Sequence, residues 1–243
     1  MSLFANLSTN GLEESTDRLG GFQPLDSDIY TGKIKLAYAI ISSGGAKGVA
    51  LTIQFGDKEF RTTQYITNKK GENFFLNKQD NSKKVPLPGF TIVDDLCLCA
   101  TGKPLCEQDA EDKMVSIYDA DLKKEVPKSV PVLTELLNQE VSLAILRTLV
   151  NKNAKDSAGE YQPTAQTREE NEVVKVFNSE ARLTVAEARA GETTPKFWDA
   201  WLERNKGKTQ DKTKDVVAGA AGKPAVMPQA GSQPARTSLF GKK

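Results

Sequence analysis

The chain of 243 residues predicts a mainly β domain followed by short helices and a disordered C-terminal tail. Three observations carry that prediction. Between Tyr30 and Thr67 apolar residues recur at every second position in three successive runs, the period of half-buried strands. Turns bearing glycine separate the runs. From Gly207 onward the chain is Gly, Ala, Pro, Lys, Gln and Ser with almost no core formers, too little apolar surface to offset the entropy of folding.

The elements follow in order. Residues 1–28 read as an irregular acidic lead-in with a few apolar anchors (Leu3, Phe4, Phe22, Leu25). Tyr30–Ser42 reads as a long strand with Tyr30, Ile34, Leu36, Tyr38 and Ile40 on one face and Thr31, Lys33 and Lys35 on the other. Ser42–Gly48 is a glycine-rich turn; it lacks the Lys-Ser/Thr ending and following helix of a phosphate-binding loop. Val49, Leu51, Ile53 and Phe55 alternate along a second strand, Gly56-Asp57 turns the chain, and Phe60–Thr67 is the third. Three strands joined by hairpins make a meander, too few to close a barrel.

Beyond Pro86-Leu87-Pro88-Gly89, the spacing of Val93, Leu96, Cys97 and Ala100 predicts a helix over Phe90–Ala100. Lys113–Tyr118 is a strand. Glu140–Val150 fits a strand or a helix, and a strand is favoured because Asn171–Phe177 can pair with it. Thr184–Ala190 and Pro195–Asn205 are two short helices, the second capped by Thr194 with Pro195 at its first position. Phe197, Trp198 and Trp201 dock that helix onto the domain. The organisation is therefore a lead-in (1–28), a β domain (29–180), a helical appendage (181–206) and a flexible basic tail (207–243).

Composition narrows function. The chain has no histidine, which removes the commonest general base, the Ser-His and Cys-His nucleophile pairs and the usual transition-metal ligand. Cys97, Cys99 and Cys106 are odd in number and closely spaced, so buried thiols in a reducing cytoplasm are expected rather than a disulfide framework or a zinc site. No apolar run approaches the ~20 residues that span a bilayer, and the N-terminus lacks the pattern of a secretory signal. A protein with no membrane partner is expected. The acidic cluster Glu107, Asp109, Glu111 and Asp112 lacks the ligand order and central glycine of a calcium loop and reads as a solvated charge run. No motif requires a cofactor or metal.

A net charge of +1 conceals a partition: residues 29–90 hold 10 Lys and Arg against 4 Asp and Glu, whereas 91–139 hold 5 against 10. The basic block coincides with the meander. In its third strand Phe60 and Ile66 share one face, while Arg61, Thr63, Tyr65 and Thr67 take the other. A tyrosine on a cationic polar face, followed by Lys69-Lys70-Gly71 and by Phe74-Phe75, suits single-stranded nucleic acid: rings stack on unpaired bases and cations hold phosphates. Tyr65, with Phe74 or Phe75 as a second platform, is the candidate for base stacking. Adjacent in a strand, Phe74 and Phe75 point opposite ways, and the sequence leaves open which is exposed. Lys33, Lys35, Lys47, Arg61, Lys69 and Lys70 are the candidates for phosphate contact. The tail ends in Ser238-Leu239-Phe240-Gly241-Lys242-Lys243, an apolar pair and two lysines beyond a polar linker, the layout of a protein-docking peptide.

Gly44-Gly45-Ala46-Lys47-Gly48, Tyr65-Ile66-Thr67-Asn68-Lys69-Lys70-Gly71, Pro86-Leu87-Pro88-Gly89-Phe90 and the terminal Ser-Leu-Phe-Gly-Lys-Lys together resemble the single-stranded DNA-binding proteins of the enquatroviruses, the N-four-like podophages. The resemblance runs from the first strand to the last residue. It implies an OB-like β-barrel core and a protein that coats unwound phage DNA in the cytoplasm of an infected bacterium, alongside phage replication and recombination proteins. It also implies activation of host RNA polymerase at late promoters through the C-terminal end, with Ser238, Leu239, Phe240, Lys242 and Lys243 as the contact. Tyr65 matches the DNA-binding tyrosine of that family. The tail departs from the general bacterial pattern, being basic where bacterial tails are acidic, which fits a different partner such as polymerase. Two other classes stand beside this non-enzymatic binding protein. One is a dedicated transcription coactivator with incidental DNA binding; the other is a metal-dependent nuclease built on Asp94, Asp95 and Glu107.

Overall fold

The structure is a computed structural model that describes residues 23–119, 122–156 and 159–216. Most of the lead-in and residues 217–243 of the expected tail, with the terminal docking peptide, lie outside the described residues. The fold is mainly β and the sheet antiparallel apart from one short strand.

The meander forms as β1 (Asp28–Ile41), β2 (Lys47–Phe55) and β3 (Lys58–Tyr65). A small separate sheet of β4 (Phe74–Leu76) and β5 (Lys84–Pro86) leads to α1 (Pro88–Thr101). Then come β6 (Ala110–Asp119), β7 (Lys124–Leu133), β8 (Glu140–Lys155) and β9 (Tyr161–Asn178), followed by α2 (Val185–Arg189), α3 (Lys196–Asn205) and β10 (Thr209–Asp211). Neither β4–β5 nor β7 nor β10 was expected from the sequence, and β9 begins ten residues before the expected Asn171.

Strand β1 organises the sheet because its two halves have different partners. Along one edge it pairs with β2 from Lys33↔Gln54 to Ile41↔Lys47. Along the other, Asp28–Lys33 pairs with Ile145–Glu140 of β8, while Tyr38 pairs with Val132 of β7. The hydrogen-bonded path β3-β2-β1-β8-β9 is not closed, since no ladder joins β3 to β9 among the described residues. The two strands instead border a gap lined by Pro24, Phe60 and Asn171. Both backbone groups of Leu25 are held there by the Asn171 side chain, each at 2.8 Å.

The core follows the alternation. Val49, Leu51, Ile53 and Phe55 of β2 are buried, as are Val141, Leu143 and Ile145 of β8, and Ile92, Val93, Leu96 and Cys97 of α1 pack against them. Each such side chain contributes ~1.5–3 kcal/mol on burial. Helix α1 starts with Pro88 in its first turn, where the missing N–H is no loss, and ends at Gly102 in the left-handed region, φ +76°.

One expected face is corrected. The β1–β2 register slips between Ile34 and Leu36, so Lys35 is an extra residue, a β-bulge. Ile34 and Ala37 are buried, whereas Leu36, Tyr38 and Ile40 pair with Thr52, Ala50 and Gly48 on the opposite face. The bulge, not the period of two, decides where Tyr38 points.

A second cluster lies on another side of the sheet, where Trp201 of α3 packs with Ala144, Leu146 and Phe177, and Trp198 meets Phe177 edge-on at 5.0 Å. The expected docking of α3 is observed. Its cap differs: Pro195 rather than Thr194 stands at the cap position, and the Phe197 N–H donates to Glu187 Oε1 at 2.7 Å. Glu187 also closes a capping box with Thr184 on α2, so one carboxylate joins the starts of both helices.

The described residues form two compact units, 23–149 with 169–211 and 150–168 with 212–216. In the second, the Asn151 side chain bonds Thr164 O and the backbone of Lys214, and Lys155 Nζ lies 5.4 Å from the centre of the Tyr161 ring.

Candidate nucleic-acid interface

The face of the meander turned away from the core is built in rows, because residues opposite each other in antiparallel strands share a side. The pairings give Leu36–Thr52–Arg61, Tyr38–Ala50–Thr63 and Ile40–Gly48–Tyr65. Along the middle strand the side chain shrinks from Thr to Ala to none, and the tyrosine of the last row uses the space. A β-carbon added to Gly48 would stand 3.1 Å from Tyr65 Cδ1 and 3.3 Å from Ile40 Cγ1. The Tyr65 ring therefore lies against bare backbone beside Ile40, and the residue remains 48% exposed. That arrangement is a flat aromatic platform with a supported underside.

Backbone contacts fix the platform. Gly89, in the first turn of α1, sits against the end of β3. Ile66 and Thr67 both donate backbone N–H to Lys47 O, and Lys47 N donates to Thr67 Oγ1. The following turn is built around Asn68, whose Oδ1 accepts from Lys70 N at 2.8 Å and Glu72 N at 3.0 Å while its amide donates to Glu72 Oε2. The aliphatic stem of Lys69 lies over Gly44 in the β1–β2 turn. Tyr65, Lys47, Lys69 and Lys70 are thus brought together by two turns that hold each other.

The other candidates are spread along the same sheet. Lys33 pairs with Gln54, which pairs with Glu59, at the far end of the outer face. Lys35 is exposed at the bulge. Arg61 is engaged: its Nε is 2.5 Å from Glu59 Oε1 and its Nη1 3.9 Å from Glu125 Oε1. Such exposed pairs are weak, ~0–1 kcal/mol, so a phosphate can compete for the guanidinium. Phe74 and Phe75 are in β4, away from these rows in sequence and in a separate sheet. Phe74 is half-buried with Lys84 Nζ 4.3 Å from its ring centre, and Phe75 is the exposed one, at 47%. The polymerase-contact candidates Ser238, Leu239, Phe240, Lys242 and Lys243 lie outside the described residues.

Sequence reasoning missed a groove. The β6–β7 hairpin extends the sheet from Tyr38↔Val132 and curls back across the outer face, bringing Ser116, Ile117 and Tyr118 opposite Leu36, Tyr38 and Thr63. Glu125, paired with Tyr118 near the hairpin tip, reaches Arg61 of β3. The groove is open to solvent and has a volume of about 580 Å³. No periodic signal marks it, because the bulge at Lys35 turns Tyr38 and Leu36 outward.

The carboxylates considered for a nuclease have structural partners. Asp94 Oδ1 accepts from Leu105 N at 2.9 Å, and Asp95 Oδ2 is 2.6 Å from Lys175 Nζ. Among the described residues no group of three or more Cys, Asp or Glu is placed to hold a metal ion. The thiols differ from expectation at one position: Cys97 is buried and Cys99 half-buried, but Cys106 is exposed. Burial pushes the thiols of Cys97 and Cys99 up to about 12, with Asp94 and Asp95 respectively adding to the effect. Among the described residues no helix is long and apolar enough to cross a membrane.

Comparison of the chain with protein-family models, curated proteins and solved structures yields no match.

Proposed function

We propose that this chain is a non-enzymatic single-stranded DNA-binding protein whose site is the outer face of β1–β3 together with the Lys69-Lys70 turn. The observation that carries the proposal is the Tyr65 ring, exposed, supported from below by Gly48 and flanked by two cationic turns. Unpaired bases stack on such a platform with ~1–3 kcal/mol each, and sequence matters little because every base has a π-face. Lys33, Lys35, Lys47, Lys69, Lys70 and Arg61 hold phosphates and release counterions, so affinity falls with salt.

The core is an OB-like barrel in this proposal. What supports it is the order of three meander strands, one helix and two long strands, β8 and β9, with β4–β5 inserted before the helix and the β6–β7 hairpin after it. A first strand that pairs on both edges and the approach of β3 and β9 across one gap point the same way. The resemblance to enquatroviral proteins extends the proposal to coating of unwound phage DNA in replication and recombination, inside an infected bacterium. It also extends it to activation of host RNA polymerase at late promoters through Ser238–Lys243. Titration of fluorescein-labelled oligo-dT and of a duplex of equal length, at moderate salt, tests the binding. The single strand should bind well above the duplex, and equal affinity would overturn the proposal.

A further inference from the structure

We propose that the groove under the β6–β7 hairpin is a second base-binding site, in which Tyr38 and Tyr118 hold an unpaired base of a strand already engaged at Tyr65. The inference rests on the single-strand binding proposed above and adds where that strand runs.

The groove is continuous with the Tyr65 platform. The Tyr38–Ala50–Thr63 row is next to Ile40–Gly48–Tyr65, two residues along each strand, or about 7 Å. Even at the ~3.4 Å per nucleotide of a stacked strand, two nucleotides cover that step. The shape of the groove suits a base. A space of about 580 Å³ is of the size that takes up small molecules, and its lining includes two tyrosines, Tyr38 from the sheet and Tyr118 from the hairpin.

Tyr118 is not used up in packing. It is 60% exposed although it lines the groove, whereas a residue that only fastened the hairpin down would be covered. Tyr38, by contrast, stands on a backbone fixed on both sides, paired with Ala50 and with Val132, which sets its side chain on the outer face. Charge orients the strand. Glu59 and Glu125 flank Arg61 at one end of the groove, and the bulged Lys35, also in its lining, makes no ion pair among the described residues. Phosphates run along the Lys35 side and the base turns inward between the rings.

The test uses the full chain with an oligo-dT of about 12 nucleotides, within the ~4–16 nucleotides that one such domain covers. Tyr118→Ala should weaken binding roughly 5- to 150-fold, the loss of one stacked base, with an unchanged melting temperature. Tyr118→Trp should keep the affinity, and the introduced indole should be quenched as oligo-dT saturates the protein. Suppose instead that Tyr118→Ala stays within about twofold of the parent and the indole is not quenched, while Tyr65→Ala still weakens binding. The groove is then a plain gap between hairpin and sheet, and the proposed function stands without it. If neither Tyr65→Ala nor Tyr118→Ala weakens binding, the proposed function itself fails and takes this inference with it.

Discussion

Gly89 stands so close to Tyr65 that a β-carbon on it would lie 2.2 Å from the Tyr65 carbonyl oxygen and 3.0 Å from its carbonyl carbon. Backbone meets backbone there, so neither side can yield by rotating a side chain. The first turn of α1 is thereby wedged against the last residue of β3, the one that bears the candidate platform. Gly89→Ala should therefore cost about 1–3 kcal/mol of stability, the usual effect of overfilling a packed contact. Because the end of β3 must move, oligo-dT affinity should fall in the same variant. Urea denaturation and a binding titration on one preparation check both.

The cationic turn makes a separate prediction in salt. Lys69→Gln and Lys70→Gln keep a polar side chain, one bond shorter, while removing one charge each. Each should reduce the slope of log affinity against log salt by about 0.7, the single-strand value per phosphate contact. A slope unchanged in both variants would remove this turn from the interface. Asn68 should behave differently, since its side chain is taken up in holding the turn.

Much of this was legible in the sequence, and what was not has identifiable causes. The period of two located β2 and β3 and put Tyr65 on the outer face, because Val49, Leu51 and Ile53 are unbroken by any irregularity. The same rule misplaced Leu36 and Tyr38, since a single bulged residue reverses every later position in a strand. Strand β7 escaped notice because Pro127 and Pro131 with four charged or hydroxylated neighbours look like a loop. As a hairpin largely exposed on both sides it has no buried face to impose alternation. The polar first half of β9 hid for the same reason. The groove depends on how β6–β7 curls over β1–β3, a tertiary relationship that no local pattern encodes.

The cysteines give a chemical and a pH-dependent prediction. At neutral pH a thiol reagent should label Cys106 in the native protein well before Cys97 and Cys99, which become reactive on unfolding. Burial raises the folded-state values of Cys97 and Cys99 to about 12, above the usual ~8.5 of a free thiol. The folded protein thus keeps protons that the unfolded chain releases. This contribution to stability is whole below about pH 8.5 and is lost as pH rises toward 12. Urea midpoints measured at intervals from neutral to alkaline pH should fall over that window, and less so in a Cys99→Ser variant.

For the tail, removal of residues 238–243 should leave oligo-dT affinity nearly unchanged apart from a small loss of charge attraction. Activation of late-promoter transcription by host polymerase should disappear in the same protein. A truncated chain that still activates fully, or that loses most of its single-strand affinity, would contradict a division of labour between domain and tail.

The most direct test of the interface is the Tyr65→Ala variant, titrated with oligo-dT beside the parent chain and melted under the same conditions. Loss of the ring removes a platform but no core contact, so affinity should drop by about 1–3 kcal/mol while the melting temperature holds. Undiminished affinity, or a variant that unfolds, would contradict the assignment of Tyr65 as the base-stacking residue.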